Sequence, residues 1–559
     1  MTDAKFRCAV VGEGTLPIVC SEMLQARGHR IIAMASPDRR VLDWARSNGV
    51  AAGKAPSGLA ASACGESFDY LFSISNFQRL SAPVLAAAER GAINYHDAPL
   101  PRYAGSHATS WALLNGETQH AVTWHGMTLR MDDGDIVKQV LVDIADDDTA
   151  LTLNAKCYEA AVSGFSALLD DIEAGILTPL RQDSSQRTFF RRGQRPTPGC
   201  TLQFDVPATQ LHALLRALDF GPYPNPLGLP KLAMGESFYI VTELEVLQGR
   251  SGEPIGTLLS KDTEQLIVAT ASEDVALGGF FTLEGTPKAV ADVVGATDLR
   301  VGERVGMIER RRAERLFALC AELAGHEPFW IGQLKRAQPT PLSGAAPSAG
   351  ASRQAAARRV ALALPDGPDD GSGAGGGDRV LAVLMALLAR HTDSGMITVG
   401  FRDMRLASAI GELGGFFAES VPLRVRCDHG WSVARLEHEL ARRLAQIRRH
   451  CSYARDLPLR IPALLARGSA TDTGTWPISV EIVERVDGPA DAPLSPGRTL
   501  VIQLADDGGA CAFHHDPDVL PVARVEAMVK QFMWLVEALP MCGALPIRVL
   551  PLPGATQAA

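Results

Sequence analysis

Short apolar runs alternate with amphipathic segments over the first hundred residues, and this alternation restricts the fold more than any other feature. Residues 6–11, FRCAVV, read as a buried strand bounded by turn residues. Gly12-Glu13-Gly14-Thr15 turns the chain into a helix, Leu16 to Arg27, which Gly28 closes. A strand at Arg30–Ser36, a helix at Pro37–Asn48, a strand at Tyr70–Ser75 and a helix at Ala82–Arg90 follow. A further strand then ends in Asn94-Tyr95-His96. Strands alternating with helices predict an α/β, Rossmann-like parallel sheet covered on both faces. Ligands of such sheets bind beyond the carboxyl ends of the strands, so Ser75-Asn76 and Asn94–His96 mark the crevice. Gly12 and Gly14 lack the third glycine of a dinucleotide fingerprint, and no acid is seen closing the second strand. The pair therefore reads as a tight strand-to-helix turn bordering the pocket.

Asn94 and His96 stand two apart on a strand, so both side chains point to one side. A Pro/Gly-rich loop, PLPRYAG, a short helix and the strand AVTWHGMTL lead on to the polar segment MDDGD. This layout lets Asp132 fold back beside Asn94 and His96. An amide, an imidazole and a carboxylate thus stand where a site for transfer of a carbonyl group would want them. His120 and His125 flank the intervening strand, and no further ligands gather there for a metal.

The run Asn94-Tyr95-His96-Asp97-Ala98-Pro99-Leu100-Pro101-Arg102-Tyr103-Ala104-Gly105 resembles the formyltransferase family that uses 10-formyltetrahydrofolate, with its N-x-H-x-S-L-L-P-x-Y-x-G pattern. Ala121-Val122-Thr123 and Asp132-Asp133-Gly134-Asp135 stand for the family's G-V-T strand and D-x-G-D segment. Ala98-Pro99 replaces the usual Ser-Leu, and Ala121 the usual Gly. The resemblance implies a triad of Asn94, His96 and Asp132, with no metal and no covalent intermediate. Asn94 would donate to the carbonyl oxygen, a contact worth ~3–4 kcal/mol in the transition state. Ser75, Asn76, Asp133 and Asp135 fall on the cofactor side, the two aspartates chiefly as turn formers. Arg102, Tyr103, His107 and Trp111 fall on the acceptor-pocket loop, Arg102 and Tyr103 by fixing it.

At 559 residues the chain has room for three or four domains of ~150 residues. A net charge of −9 opposes a phosphate-binding surface and hence a tRNA acceptor or other nucleic acid. The ten cysteines are scattered, with no C-x-x-C, which fits a reducing compartment and suggests neither a zinc ribbon nor a dithiol redox site. No apolar run is long enough to span a bilayer, and no leader pattern opens the chain. A cytoplasmic protein without membrane association is expected.

The catalytic domain is expected over residues 1–182, closed by an amphipathic helix from Thr149 to Ala174. Residues 200–292 hold a helix, Ala208–Leu218, the Gly/Pro-rich run RALDFGPYPNP and several short strands. They resemble the small β-barrel domain that follows the catalytic domain in many formyltransferases. Residues 300–337 read as a helical connector and 338–378 as a Pro/Ala/Gly/Ser-rich flexible linker. Residues 379–548 resemble the C-terminal lobe of the condensation domains of nonribosomal peptide synthetases, a chloramphenicol-acetyltransferase-like α/β unit. The match departs at Ala418-Glu419-Ser420. The other lobe, with its H-H-x-x-x-D-G, is missing, and His514-His515 has no Asp-Gly at the required offset, so this unit is expected to dock a partner.

These resemblances together imply formyl transfer from 10-formyltetrahydrofolate to an amine of an amino acid or of an aminoacyl group on a carrier protein. The setting is nonribosomal-peptide or siderophore-type metabolism, with a peptide synthetase as partner of the C-terminal unit. Two alternatives stay open: a nucleotide amino sugar or initiator tRNA as acceptor, and a non-catalytic synthetase adaptor.

Overall fold

The computed structural model describes residues 5–59, 67–196, 198–342, 356–361, 376–392, 394–466, 476–486, 494, 498–550 and 552. The N-terminal part is built on a seven-stranded sheet. Its strands run, edge to edge, Ala51–Gly53, Arg30–Ala35, Arg7–Gly12, Phe68–Ile74, Ala88–His96, Gln119–Gly126 and Ile136–Asp143. The first five are parallel; Gln119–Gly126 runs antiparallel to Ala88–His96, and Ile136–Asp143 antiparallel to Gln119–Gly126. Residues of alternate parity on each strand face opposite layers. Cys8, Val10 and Phe72 pack with Trp124 and Phe165 on one side, while Ala9, Val11 and Leu71 pack with Leu80 and Val84 on the other.

Two local expectations change. The helix expected to reach Arg90 stops at Ala86, because Ala88 already pairs with Phe68 and the strand takes over the chain. A short edge strand, Ala51–Gly53, was not apparent from three small residues with no alternation. Helix Ala150–Ala174 lies over the antiparallel strands. Thr149 and Thr152 close its start with reciprocal hydrogen bonds, and Gly175 ends it at φ 70°.

Residues 231–282 form a five-stranded antiparallel sheet in the order Lys231–Met234, Ser237–Val246, Val275–Thr282, Gln265–Val268, Leu258–Lys261. The order is open, with Lys231–Met234 and Leu258–Lys261 at its ends. Helix Ala208–Ala217 packs on this sheet through Leu211 and Leu214.

The C-terminal part has a mixed six-stranded sheet, ordered Ala356–Ala361, Ala510–His515, Leu500–Ala505, Ile478–Val483, Met396–Arg402, Val421–Arg426. Helix Gly376–Thr392 is buried all round from Val380 to Ala389, as an uninterrupted apolar run requires. The core of this part takes in Phe238 and Ile240 of the five-stranded sheet and Trp330 of helix Glu327–Leu334. A buried ionic cluster crosses the same junction: Lys231 Nζ lies 2.6 Å from Asp456 Oδ2, and Arg460 joins Asp456 to Glu327.

The stretch 338–378, expected to be a flexible linker, is in part ordered. Ala356–Ala361 pairs antiparallel with Ala510–His515, and the buried helix begins at Gly376. An edge strand needs backbone partners rather than a buried apolar face, so composition did not reveal it. The remainder of that stretch, 343–355 and 362–375, lies outside the described residues. His514 and His515 sit within the sheet, with His515 Nδ1 2.8 Å from the Leu520 carbonyl.

Candidate active site

Asn94 and His96 end the last parallel strand, and antiparallel pairing sets His125 opposite Asn94 and Thr123 opposite His96. After Gly126 the chain loops out and returns, with the Gly126 N–H donating to the Asp135 carbonyl at 2.8 Å. The return passes so close that a Cβ on Gly134 would lie 1.8 Å from the Gly126 oxygen, and only glycine fits. This closure sets Asp132 at φ 50° with its carboxylate turned inward. Asp132 Oδ2 accepts from the Gly105 N–H at 2.9 Å and lies 3.9 Å from His96 Nε2, while Oδ1 lies 3.8 Å from His125 Nε2. Gln182 and Arg187 donate to the Asp132 carbonyl at 3.2 and 2.7 Å and clamp the loop.

The two imidazoles differ in charge preference. His96 Nε2–H donates to the Tyr103 carbonyl at 3.0 Å, and Nδ1 lies 3.6 Å from Asp97 Oδ1. Burial opposes the imidazolium, but the Asp132 and Asp97 carboxylates and that carbonyl outweigh it, so the His96 pKa is raised. Burial dominates at His125 and pushes its pKa down to about 4. Its Nδ1–H donates to the Gly126 carbonyl at 2.8 Å, leaving the Nε2 lone pair to accept from Asn94 Nδ2 at 3.2 Å. Asn94 also donates to the Tyr95 carbonyl at 2.9 Å, which leaves Oδ1 as the amide atom turned away from these partners. The N–H read from sequence as an open oxyanion donor is therefore engaged, because strand pairing brings an acceptor histidine beside it.

The loop between them is tied down from both sides. Thr123 Oγ1 donates to the Ala98 carbonyl at 2.6 Å and Gln139 Nε2 to the Leu100 carbonyl at 3.2 Å; the Leu100–Pro101 peptide is cis. Arg102 pairs with Glu117 at 2.8 Å, the Tyr103 hydroxyl donates to Glu117 at 2.8 Å, and the rings of Tyr103 and Trp111 both stack on Phe190. These three side chains hold the loop and its neighbouring helix, and what Tyr103 offers His96 is its carbonyl. His107 opens helix Ala108–Leu114 at φ 61°, and burial pushes its pKa down to about 4.

Ser75 lies at φ 51°, its carbonyl accepting from the Glu13 N–H at 3.2 Å. Asn76 closes a turn through Ser73 and Gln78. Asp133 faces Arg130 at 3.4 Å, and the Asp135 side chain is exposed. The glycine turn needs its glycines, since a Cβ on Gly12 would lie 1.7 Å from the Ile74 oxygen. The second strand ends at Ala35 without an acid, and the carboxylate beyond it, Asp38, is the cap of the next helix. Asp38 accepts from the Gly14 N–H at 3.1 Å and from Arg40, its carboxylate spent on the turn and the next helix. His125, Asp97, Gln182 and Arg187 were not singled out as site residues. The alternation Thr123–His125, laid against Asn94–His96, is the signal that points to His125.

Among the described residues no group of His, Cys, Asp and Glu is placed to hold a metal, and no helix is long and apolar enough to cross a membrane.

Residues 19–169 match the family model described as formyl transferase, which takes in Asn94, His96, His125 and Asp132. The chain thus carries a formyl transferase domain and is an enzyme of that class. Among solved structures it is similar to WlaRD, a sugar 3N-formyl transferase solved with dTDP and 5-N-formyl-THF. Identity is 16% over 49% of this chain and 97% of that one, with a TM-score of 0.39. The N-formyltransferase from Helicobacter canadensis, in complex with folinic acid and dTDP-3-aminofucose, is 15% identical over 48% of this chain and 98% of its own, with a TM-score of 0.40. HypX from Aquifex aeolicus, in complex with tetrahydrofolic acid, is 15% identical over 53% of this chain and 48% of its own, with a TM-score of 0.37.

Proposed function

We propose that this enzyme takes its formyl group from 10-formyltetrahydrofolate and gives it to a primary amine. The observation that carries the reading is the convergence of Asn94, His96 and Asp132 at one end of the sheet, inside the matched segment. The amine nitrogen attacks the formyl carbon and forms a tetrahedral intermediate. Asp132 takes the proton the amine loses, and His96, in its charged form, sits within reach of Asp132 and gives a proton to the leaving folate nitrogen as the old carbon–nitrogen bond breaks. Asn94 stabilises the oxyanion by exchanging its His125 hydrogen bond for one to the formyl oxygen. Holding donor and acceptor in one crevice lowers the entropic part of the barrier.

The acceptor in this reading is the amino group of an amino acid or of an aminoacyl group on a carrier protein. Support comes from the resemblance of residues 379–548 to a condensation-domain lobe, whose role would be docking a carrier or peptide synthetase. The net charge of −9 argues against tRNA. Free cysteines, among them the buried Cys8, Cys20 and Cys157, fit a reducing, cytoplasmic setting. The test is a mass-spectrometric acceptor panel of free amino acids, hydroxyornithine, nucleotide amino sugars and aminoacylated carrier proteins. A formyl mass gain on an amino acid or carrier-bound acceptor is expected. A gain confined to the nucleotide amino sugars would replace this acceptor, and a gain on none would remove the reading.

A further inference from the structure

A second cleft, of about 1150 Å³, lies apart from the triad, between the five-stranded sheet and the C-terminal part. Its floor is the second half of strand Ser237–Val246. The neighbouring Lys231–Met234 strand pairs only with Ser237–Ile240, and one more bond runs from the Val241 N–H to Pro230. From Thr242 to Val246 the strand pairs with Val275–Gly279 on one side. On the other side its backbone has no hydrogen-bonded partner among the described residues. The cleft is lined by Ile240–Glu245 and reaches across the sheet face to Ala276 and Gln265, with Pro230 at the end of the neighbouring strand. An open strand edge is a template for another strand.

The walls are apolar and the charge at the mouth is negative. Leu215 and Tyr223 line one wall, Leu459 and Leu465 the other, with Tyr223 63% and Leu465 50% exposed. Glu243 and Glu245, two apart and so on one strand face, are exposed. Asp219 adds a third carboxylate. The cationic side chains of the cleft are already engaged: Arg216 with the Asp148 carbonyl, Arg460 with Asp456 and Glu327. Burial lowers the His212 pKa, so it does not offset the acids. The volume exceeds the ~300–1,000 Å³ of small-ligand pockets.

We propose that this cleft takes an extended segment of a partner protein that alternates cationic and apolar residues and adds as a strand to the Thr242–Val246 edge. Main-chain bonds would supply affinity, and the glutamates would set the charge preference. The probe is an octapeptide alternating Arg and Val, offered to the full chain at low salt. Binding is read by fluorescence polarisation and backbone amide hydrogen exchange. The expected result is binding with slowed exchange confined to 242–246. Glu243→Lys/Glu245→Lys should weaken binding at least about tenfold, and so should N-methylation of alternate peptide residues, which removes backbone donors. Formyl transfer by that variant should stay at the parent rate, since neither glutamate touches the triad. Equal binding of a Glu/Val octapeptide, no slowing at 242–246, or slowing there caused by self-association of the chain would overturn the proposal.

Discussion

Asn94 Nδ2 lies 3.2 Å from His125 Nε2, and that histidine is held neutral with its lone pair facing the amide. The relationship fixes which way the Asn94 amide points before any substrate arrives. A neutral acceptor gives up the amide N–H more readily than a carboxylate would, so the bond orients Asn94 and still lets it turn to an oxyanion.

His125→Leu removes the orienting acceptor without adding charge. We expect kcat to fall about tenfold with KM nearly unchanged, because the loss is felt where charge develops. Steady-state kinetics on the accepted amine reads this split. An unchanged kcat would mean that Asn94 is oriented by the Tyr95 carbonyl alone.

Asp132→Asn is the cleanest removal of the base. Asn is among the few residues that tolerate φ near 50°, and its amide oxygen can keep the Gly105 bond, so the loop should stand. We expect roughly a thousandfold loss in kcat, about 4 kcal/mol, with an unchanged melting temperature. A loss under about tenfold would assign the base elsewhere.

The pH profile should report His96. Burial lowers its pKa, but the Asp132 and Asp97 carboxylates more than restore it, so the charged form persists above the ordinary histidine range. If the imidazolium gives the proton to the leaving nitrogen, kcat falls as pH rises through this pKa. Asp97→Asn takes away one of the two carboxylates and should move that alkaline limb to lower pH while leaving Asp132 in place. The same raised pKa contributes stability below the unfolded value that is lost as pH rises. His125 and His107, lowered to about 4, act in the opposite sense: their contribution holds above pH ~6.5 and is lost as pH falls toward 4. Melting temperature measured across pH 4–7 should therefore drop on the acid side.

Lys231→Met leaves the buried Asp456 with Arg460 as its remaining cationic partner. Burial opposes the carboxylate charge there, yet Lys231 and Arg460 hold its pKa well below the usual range. With Lys231 and Asp456 each 1% exposed, breaking one partner should cost about 3–5 kcal/mol. The loss should show as earlier unfolding of the junction between the five-stranded sheet and the C-terminal part, read by denaturant titration. An unchanged midpoint would contradict the cluster's role as a fastening.

The sequence made the parallel sheet and the positions of Asn94, His96 and Asp132 legible, because strand period, loop glycines and a polar return are local signals. What it hid depends on pairing between distant strands. His125 becomes a neighbour of Asn94 only once the Gln119–Gly126 strand is set antiparallel. Arg187 and Gln182 reach the Asp132 loop from a segment that carries no pattern of its own. The rings of Tyr103 and Trp111 both stack on Phe190, whose two-residue strand was invisible in composition. The Ala356–Ala361 strand was missed for the same reason: its stability comes from the edge it joins.

The most direct measurement is single-turnover transfer of an isotope-labelled formyl group from 10-formyltetrahydrofolate to the accepted amine, run with the parent enzyme and with Asn94→Ala, His96→Ala and Asp132→Asn. Label should pass to the amine in the parent, one formyl per tetrahydrofolate released, and nearly stop in all three variants although each still binds folate. Label transfer that survives in any two of these variants would contradict the triad as the centre of the chemistry.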